Sequence, residues 1–274
     1  RIIFGEGIKA EDVYFERSGS NLIIHYSEQD SITIEDAYYY SYTDGRALIE
    51  NIEFADGTVW DLETITEKAV IRRGTDGADS FSGYSTVTGY HQDEIYHAGA
   101  GDDVVNAGDG NDRLYGGEGN DRLSGGAGSD LIVGGAGNDT LDGGKGGDIY
   151  VFNVGDGADT INDYDTTAGN IDTLAIGVAA DQLVFEKSGS DLLISIMGTE
   201  DSVTIKKWYS SSAYQVENIQ SADGWALSHA QVDLLIQSMA SFESTVGVSW
   251  NEAISANNSE ANALVGQMWL NRDI

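Results

Sequence analysis

The chain has 274 residues, 46 acidic against 14 basic, and a formal net charge of −32. So few cations cannot build a basic patch for nucleic acid, and no apolar run reaches the ~18 residues of a membrane-spanning helix. Cysteine and proline are both absent, which excludes a thiolate nucleophile and disulfide cross-links and leaves the redox compartment open.

Arg1 opens the sequence in mid-pattern, as expected of a fragment or processed product of a larger protein. The first stretch reads as strands. Val13-Tyr14-Phe15-Glu16-Arg17 and Leu22-Ile23-Ile24-His25-Tyr26 flank a Ser18-Gly19-Ser20-Asn21 turn, a hairpin signal, and Ser31-Ile32-Thr33-Ile34 follows as a third strand. The aromatic cluster Tyr38, Tyr39, Tyr40 and Tyr42 precedes a further strand at residues 49–54, which ends at Ala55-Asp56-Gly57-Thr58. A degraded approach follows: residues 74–82 fit one repeat unit, while Ser85 with Val87 and Glu94 with Tyr96 keep the later register. Asp79 falls six residues before Ser85 rather than nine, so a register break is expected there, and Glu94 with Asp112 would make a looser site.

Residues 98–151 then repeat one nine-residue pattern six times without a gap: AGAGDDVVN, AGDGNDRLY, GGEGNDRLS, GGAGSDLIV, GGAGNDTLD and GGKGGDIYV. A fixed period is the signature of a repeat architecture and outranks any single residue. Two units make one coil of two strands and two turns, so units two apart stack at the inter-strand spacing of about 4.8 Å. The eighth-place residues Val105, Leu114, Leu123, Ile132, Leu141 and Tyr150 form a narrow core between two parallel sheets. Glycines supply turns that need positive φ or lack room for a Cβ.

The sixth-place residues Asp103, Asp112, Asp121, Asp130, Asp139 and Asp148 therefore line up in two columns. Carboxylates stacked so closely repel unless a cation lies between them. With turn carbonyls at Gly99, Gly101, Gly108, Gly110, Gly117, Gly119, Gly126, Gly128, Gly135 and Gly137, they offer all-oxygen cages. Calcium prefers such cages at about 2.3–2.6 Å from each oxygen, whereas magnesium demands a tighter octahedron. The expected cages pair residues eighteen apart: Asp103 with Asp121, Asp112 with Asp130, Asp121 with Asp139, and Asp130 with Asp148. That makes about four calcium ions in the strict run, plus flanking sites. Past the run, Asp159 and Ile161 keep the Asp-x-hydrophobic rule after two inserted residues, and Asp156, Asp159 and Asp163 are candidate ligands of a terminal site.

Residues 181–194 repeat residues 11–24, Asp201-Ser202-Val203-Thr204-Ile205 repeats residues 30–34, and Val216-Glu217-Asn218-Ile219 repeats residues 49–52. Two copies of one strand-rich module thus bracket the coil, where caps for its open ends are needed. In the tail, Ser228-His229-Ala230-Gln231 reads as a capping box before an apolar stripe at Val232, Leu235, Ile236, Met239 and Phe242. A second helix is expected from Asn258, with Leu264, Val265, Met268 and Trp269 on one side.

No catalytic constellation emerges. His91 and His97 flank Glu94 at the wrong spacing for a helical zinc motif, His25 and His229 stand apart from them, and Gly143-Gly144-Lys145-Gly146 lacks a phosphate loop's ending. Catalysis is expected, if anywhere, in a region upstream of this chain.

The nonapeptide block resembles the glycine-rich repeat of RTX proteins, also called haemolysin-type calcium-binding repeats. That resemblance implies a parallel β-roll, extracellular calcium, and export through a type I secretion channel with an uncleaved C-terminal signal, placed after Ala226 by position alone. The bracketing modules resemble the haemolysin-associated domain interleaved with such repeats. The expected fold is all-β with a small α tail, a parallel β-roll flanked by two related strand-rich modules. Its domains are a capping or associated module at 1–70, the roll at 71–165, the second module at 166–225 and a helical tail at 226–274. The expected function is a calcium-binding structural and secretion module of a larger exported protein, secreted or held at the cell surface. The alternatives are an adhesin or surface-layer segment with a cell-surface or protein ligand, and the non-catalytic C-terminal part of a secreted toxin, lipase or protease.

Overall fold

A computed structural model describes residues 1–18, 21–27, 30–34, 49, 51–61, 65, 71–84, 93–256, 258–259, 261 and 270–271. The tyrosine cluster at 38–42, Ser85, Val87, His91 and the tail residues 262–269 lie outside them. The chain divides into two compact units, Arg1–Arg73 with Glu94–His97, and Gly74–Asp93 with Ala98–Ile274.

The first unit holds two three-stranded sheets. In one, Tyr14–Ser18, Asn21–His25 and Ser31–Ile34 form an antiparallel meander with Phe15 opposite Ile24 and Leu22 opposite Ile34. Alternation puts Val13, Phe15, Leu22 and Ile24 on one face, where they share a core with Phe4, Ile52, Phe54 and Trp60 of the other sheet. That second sheet pairs Ile2–Ile3 in parallel with Asn51–Glu53, and Asn51–Glu53 antiparallel with Val59–Asp61. In the same unit Ile71–Arg73 runs parallel to Ile95–His97. The Arg72 guanidinium meets the buried Glu94 carboxylate at 2.9 Å, and the Tyr96 hydroxyl donates to Glu94 at 2.6 Å.

The second unit is the roll. One sheet runs in the order Leu183–Ser188, Asp191–Ile196, Ser202–Ile205, Ala158–Ile161, Thr140–Lys145, Arg122–Ala127, Val104–Asp109 and Ser80–Tyr84. The facing sheet carries Trp225–Ser228, Asn218–Ser221, Thr173–Ile176, Ile149–Phe152, Leu131–Ala136 and Arg113–Glu118 in that order. All pairings from Ser80 to Ile161 and from Arg113 to Ser221 are parallel, so successive strands alternate between the sheets. The register stacks Phe81, Val105, Leu123, Leu141, Ile161 and Ile205 in one file, and Leu114, Ile132, Tyr150, Leu174 and Ile219 in the other. Every eighth-place residue is buried, as the period requires.

The core is narrow because the next inward position of each strand is Ala107, Gly116, Gly125, Gly134 or Gly143, all buried. The first-place glycines thus lie inside the strands, while positive φ is taken up by the second place, near each strand's end, and by the fourth, just past it. Gly126 and Gly128 have φ of 112° and 143°, and a Cβ on either would strike the carbonyl of Gly108 or Gly110 in the neighbouring coil. Only glycine fits both constraints.

The second module continues both sheets. Ser202–Ile205 adds in parallel to Ala158–Ile161, and Asn218–Ser221 adds in parallel to Thr173–Ile176. Each sheet then reverses into antiparallel strands, 183–196 on one and Trp225–Ser228 on the other, to which Leu270–Asn271 is joined. Helix α1, His229–Val246, buries Val232, Leu235, Met239 and Phe242 and ends at Gly247 with φ 78°. Helix α2, Trp250–Ser255, which was not expected, is started by a capping box of Ser249 and Glu252. Beyond it Ser259 and Ala261 are helical, and the Ala261 N–H donates to Asn258 Oδ1 at 3.2 Å, as a helix starting at Asn258 requires.

Candidate metal centre: two files of buried carboxylates

Each repeat aspartate sits just before its strand, at the turn edge of the roll. One oxygen is used between coils: the Asp103 N–H donates to Asp121 Oδ1 at 2.8 Å, Asp112 to Asp130 at 2.7 Å, Asp121 to Asp139 at 2.8 Å and Asp130 to Asp148 at 2.8 Å. The same residues, eighteen apart, were expected to share cages; here a backbone N–H of one meets the carboxylate of the other. The files run on past the strict repeats. Asp79 N–H donates to Asp103 Oδ1, Asp139 N–H to Asp159 Oδ1, Asp148 N–H to Asp172 Oδ1 and Asp172 N–H to Glu217 Oε2, at 2.7 to 2.9 Å.

The second oxygen is treated differently. Oδ2 of Asp103, Asp121, Asp130, Asp139, Asp148 and Asp159 is buried with no hydrogen-bond partner among the described residues. Each of four of them, Asp121, Asp130, Asp139 and Asp148, lies where a Cβ on the first-place glycine of its own unit would be, at Gly116, Gly125, Gly134 and Gly143. A buried ionised oxygen without a partner costs several kcal/mol on the order of an unmade charged hydrogen bond. Burial, reinforced by the aspartate of the adjacent coil, accordingly pushes Asp130, Asp139 and Asp148 up to about 7 and Asp159 up to about 8. Asp121 moves in the same direction for the same reason.

The glycine carbonyls form a second oxygen file along the turns. Those of Gly99, Gly101, Gly108, Gly110, Gly117 and Gly119 each face the Cα of the glycine eighteen residues on, from Gly117 to Gly137. Carboxylate and carbonyl oxygens with no nitrogen or sulfur among them make a hard-cation donor set of the calcium type.

The expected terminal residues divide between the files. Asp159 follows Asp139 in one, with Asp156 and Asp201 near enough to raise it further. Asp156 itself accepts the Asn153 N–H at 2.6 Å. Asp163 joins the other file, where one carboxylate oxygen from each of Asp148, Asp163 and Asp172 lies within 4.8 Å of the others, all buried. Burial and the shared site raise both Asp163 and Asp172 above the ordinary carboxylate range. Asp172 escaped the repeat count because it stands 24 residues beyond Asp148. Asp172-Thr173-Leu174 nevertheless has the Asp-x-hydrophobic spacing that would have found it.

Fold and site together define a parallel β-roll of cation-binding repeats. Comparison with known proteins gives that class its family: residues 92–123 and 115–150 match the RTX calcium-binding nonapeptide repeat (4 copies), and residues 21–64 and 191–231 match the haemolysin-type calcium binding protein related domain. The chain carries an RTX-type calcium-binding nonapeptide repeat domain, flanked by two related strand-rich modules. The iron-regulated protein FrpA of Neisseria meningitidis serogroup C is 34% identical over 93 residues, 32% of this chain and 8% of that protein's length. Among solved structures, the extracellular lipase LipA from Serratia marcescens aligns with a TM-score of 0.32 and 16% identity, covering 74% of this chain and 29% of the lipase.

Proposed function

We propose that the roll is the calcium-responsive folding module of a larger exported protein, and that its ions sit between successive carboxylates of each file. The ligands are Asp103 with Asp121, Asp112 with Asp130, Asp121 with Asp139 and Asp130 with Asp148, completed by glycine carbonyls of the turns. Asp139 with Asp159, and Asp148 with Asp163 and Asp172, extend the two files by one site each. The observation that carries this reading is the row of buried Oδ2 atoms that no donor among the described residues reaches. A divalent ion between coils would supply charge at each of those atoms and offset part of the net charge of −32.

At low calcium such a chain repels itself and stays open, and at the millimolar calcium outside cells it closes. An unfolded, acidic chain is also suited to passage through a narrow export channel, so the RTX resemblance and this charge distribution support type I secretion and an extracellular location. No described helix is long and apolar enough to cross a membrane.

Calcium titration followed by far-ultraviolet circular dichroism tests the ligand assignment. Asp121→Ala, which removes a carboxylate from two adjoining sites, should raise the calcium midpoint by ~10-fold or more. Asp181→Ala, at an exposed position of the short 3-10 helix Ala180–Gln182, should leave it unchanged. Equal midpoints for the two variants would overturn the assignment.

A further inference from the structure

The two strand modules are superimposable in register, yet their outer edges are in different states. Tyr14 opposite His25 and Ile24 opposite Ile32 in the first correspond to Val184 opposite Ser195 and Ile194 opposite Val203 in the second. Ile2 opposite Ile52 corresponds to Leu174 opposite Ile219. In the second module the strands Ser202–Ile205 and Thr173–Ile176 are each paired on their far side with a strand of the roll. Their counterparts Ser31–Ile34 and Ile2–Ile3 are edge strands, with nothing beyond them in their own sheets among the described residues.

The side chains follow suit. Val203 and Ile205 are 1% and 0% exposed, whereas Ile32 and Ile34 are only half-buried and Ile3 is 63% exposed. Polar groups match as well. Asp201 closes the roll by accepting the N–H groups of Gly155 and Gly157 at 2.9 and 3.0 Å, and Glu217 accepts that of Asp172 at 2.8 Å. The first module has Asp30 and Glu50 at those sequence places. Asp30 is exposed and accepts a local bond from the Ser27 hydroxyl at 3.0 Å. Two edge strands with no partner beyond them among the described residues, one of them preceded by Asp30, form a template for strand addition.

We infer that the first module is a docking surface for one coil of a calcium roll entering from the N-terminal side of Ile2, which it closes as the second module closes residues 149–161. The occupant is set by chemistry: two strands with the Asp-x-hydrophobic spacing of Asp148-Ile149-Tyr150 and Asp159-Thr160-Ile161, joined by glycine turns whose N–H groups reach Asp30. This identity rests on the calcium-roll reading above.

The test joins a copy of residues 98–172 directly ahead of Arg1 in the full chain, so that the added Asp172 precedes Arg1 as it precedes Thr173. Hydrogen exchange is then followed in millimolar calcium. The amides of Ile3 and Thr33 should slow by roughly tenfold or more relative to the unextended chain, while those of Asn21–His25, already central, change little. Calcium uptake should rise together with the added repeats' protection. Thr33→Pro should abolish the gain without unfolding the unextended chain. By register Thr33 corresponds to Thr204, which lies between two residues whose N–H groups bond outward, Ser202 to Gly157 and Lys206 to Ile161. If the native roll folds with calcium while the added repeats stay unprotected, or if the Thr33 amide does not slow, the docking surface is overturned and the calcium reading stands. If neither roll responds to calcium, the reading beneath it fails first.

Discussion

At the residue scale, the repeat aspartate divides its two oxygens between two tasks, and that division makes proton and calcium rivals. In the metal-free fold the carboxyls of Asp130, Asp139 and Asp148 titrate near 7 and that of Asp159 near 8, against an ordinary value of 3.8. The folded state therefore binds more protons than the unfolded chain between these limits, and its stability falls as pH rises through them. Without calcium, the roll should be best ordered near pH 4 to 5 and lost by about pH 8. Circular dichroism in a chelating buffer across that range checks this, and a metal-free chain more ordered at pH 8 than at pH 5 contradicts it. The glycines give a second residue-scale expectation. Gly125→Ala places a methyl on Asp130 Oδ2 and should cost about 1–3 kcal/mol in calcium-saturated stability, visible as a lower denaturant midpoint than that of Ser124→Ala on the same strand.

At the scale of the element, each strand from Val104–Asp109 to Thr140–Lys145 contributes one large inward side chain, so this part of the roll lacks the redundancy of a thick core. Ile132, fully buried in mid-file, is stacked between Leu114 and Tyr150 of the adjoining coils. Ile132→Ala should cost about 2–5 kcal/mol, and the loss should appear as reduced amide protection confined to the nearest coils rather than spread over the chain, because repeat stability is a sum of neighbour terms. Helix α1 is held differently, by four residues at helical spacing, Val232, Leu235, Met239 and Phe242, with Phe242 edge-on to Trp250. Leu235→Ala should loosen the tail and leave the calcium midpoint of the roll within about twofold.

The whole molecule was legible in the sequence where its period was strict and obscure where spacers intervened. The nine-residue unit dictated the alternation of sheets, the eighth-place core and the eighteen-residue pairing of aspartates, because stacking permits only one register. The two-residue insertion before Asp159 was also readable, since Ile161 still falls opposite Leu141. Asp172 and Glu217 were missed because loops of unequal length separate them from the repeats, and chain distance no longer reports spatial distance. The first-place glycines were misplaced into turns for a different reason: a residue without a side chain carries no sign of which way it faces, and only the buried Oδ2 atoms show that the missing Cβ is required inside the strand. The likeness of the two modules was plain from sequence, but the unequal condition of their edges was not, since pairing partners are a property of the assembled sheets.

The amide bonds along the two acidic files all point the same way: the donor belongs to the earlier coil and the acceptor to the later one. The backbone bonds beside them run the other way, from the Arg122, Leu131, Thr140 and Ile149 N–H groups back to the carbonyls of Asp103, Asp112, Asp121 and Asp130. It is thus the carboxylate file alone that gives the roll a grain, each aspartate N–H finding its acceptor only once the next coil stands. Drawn from its amino end in an optical trap with calcium present, the roll should come apart stepwise, with about 60 Å released for each eighteen-residue coil. Slack returned to the tether should be taken up in reverse order, the coil nearest the second module re-forming first.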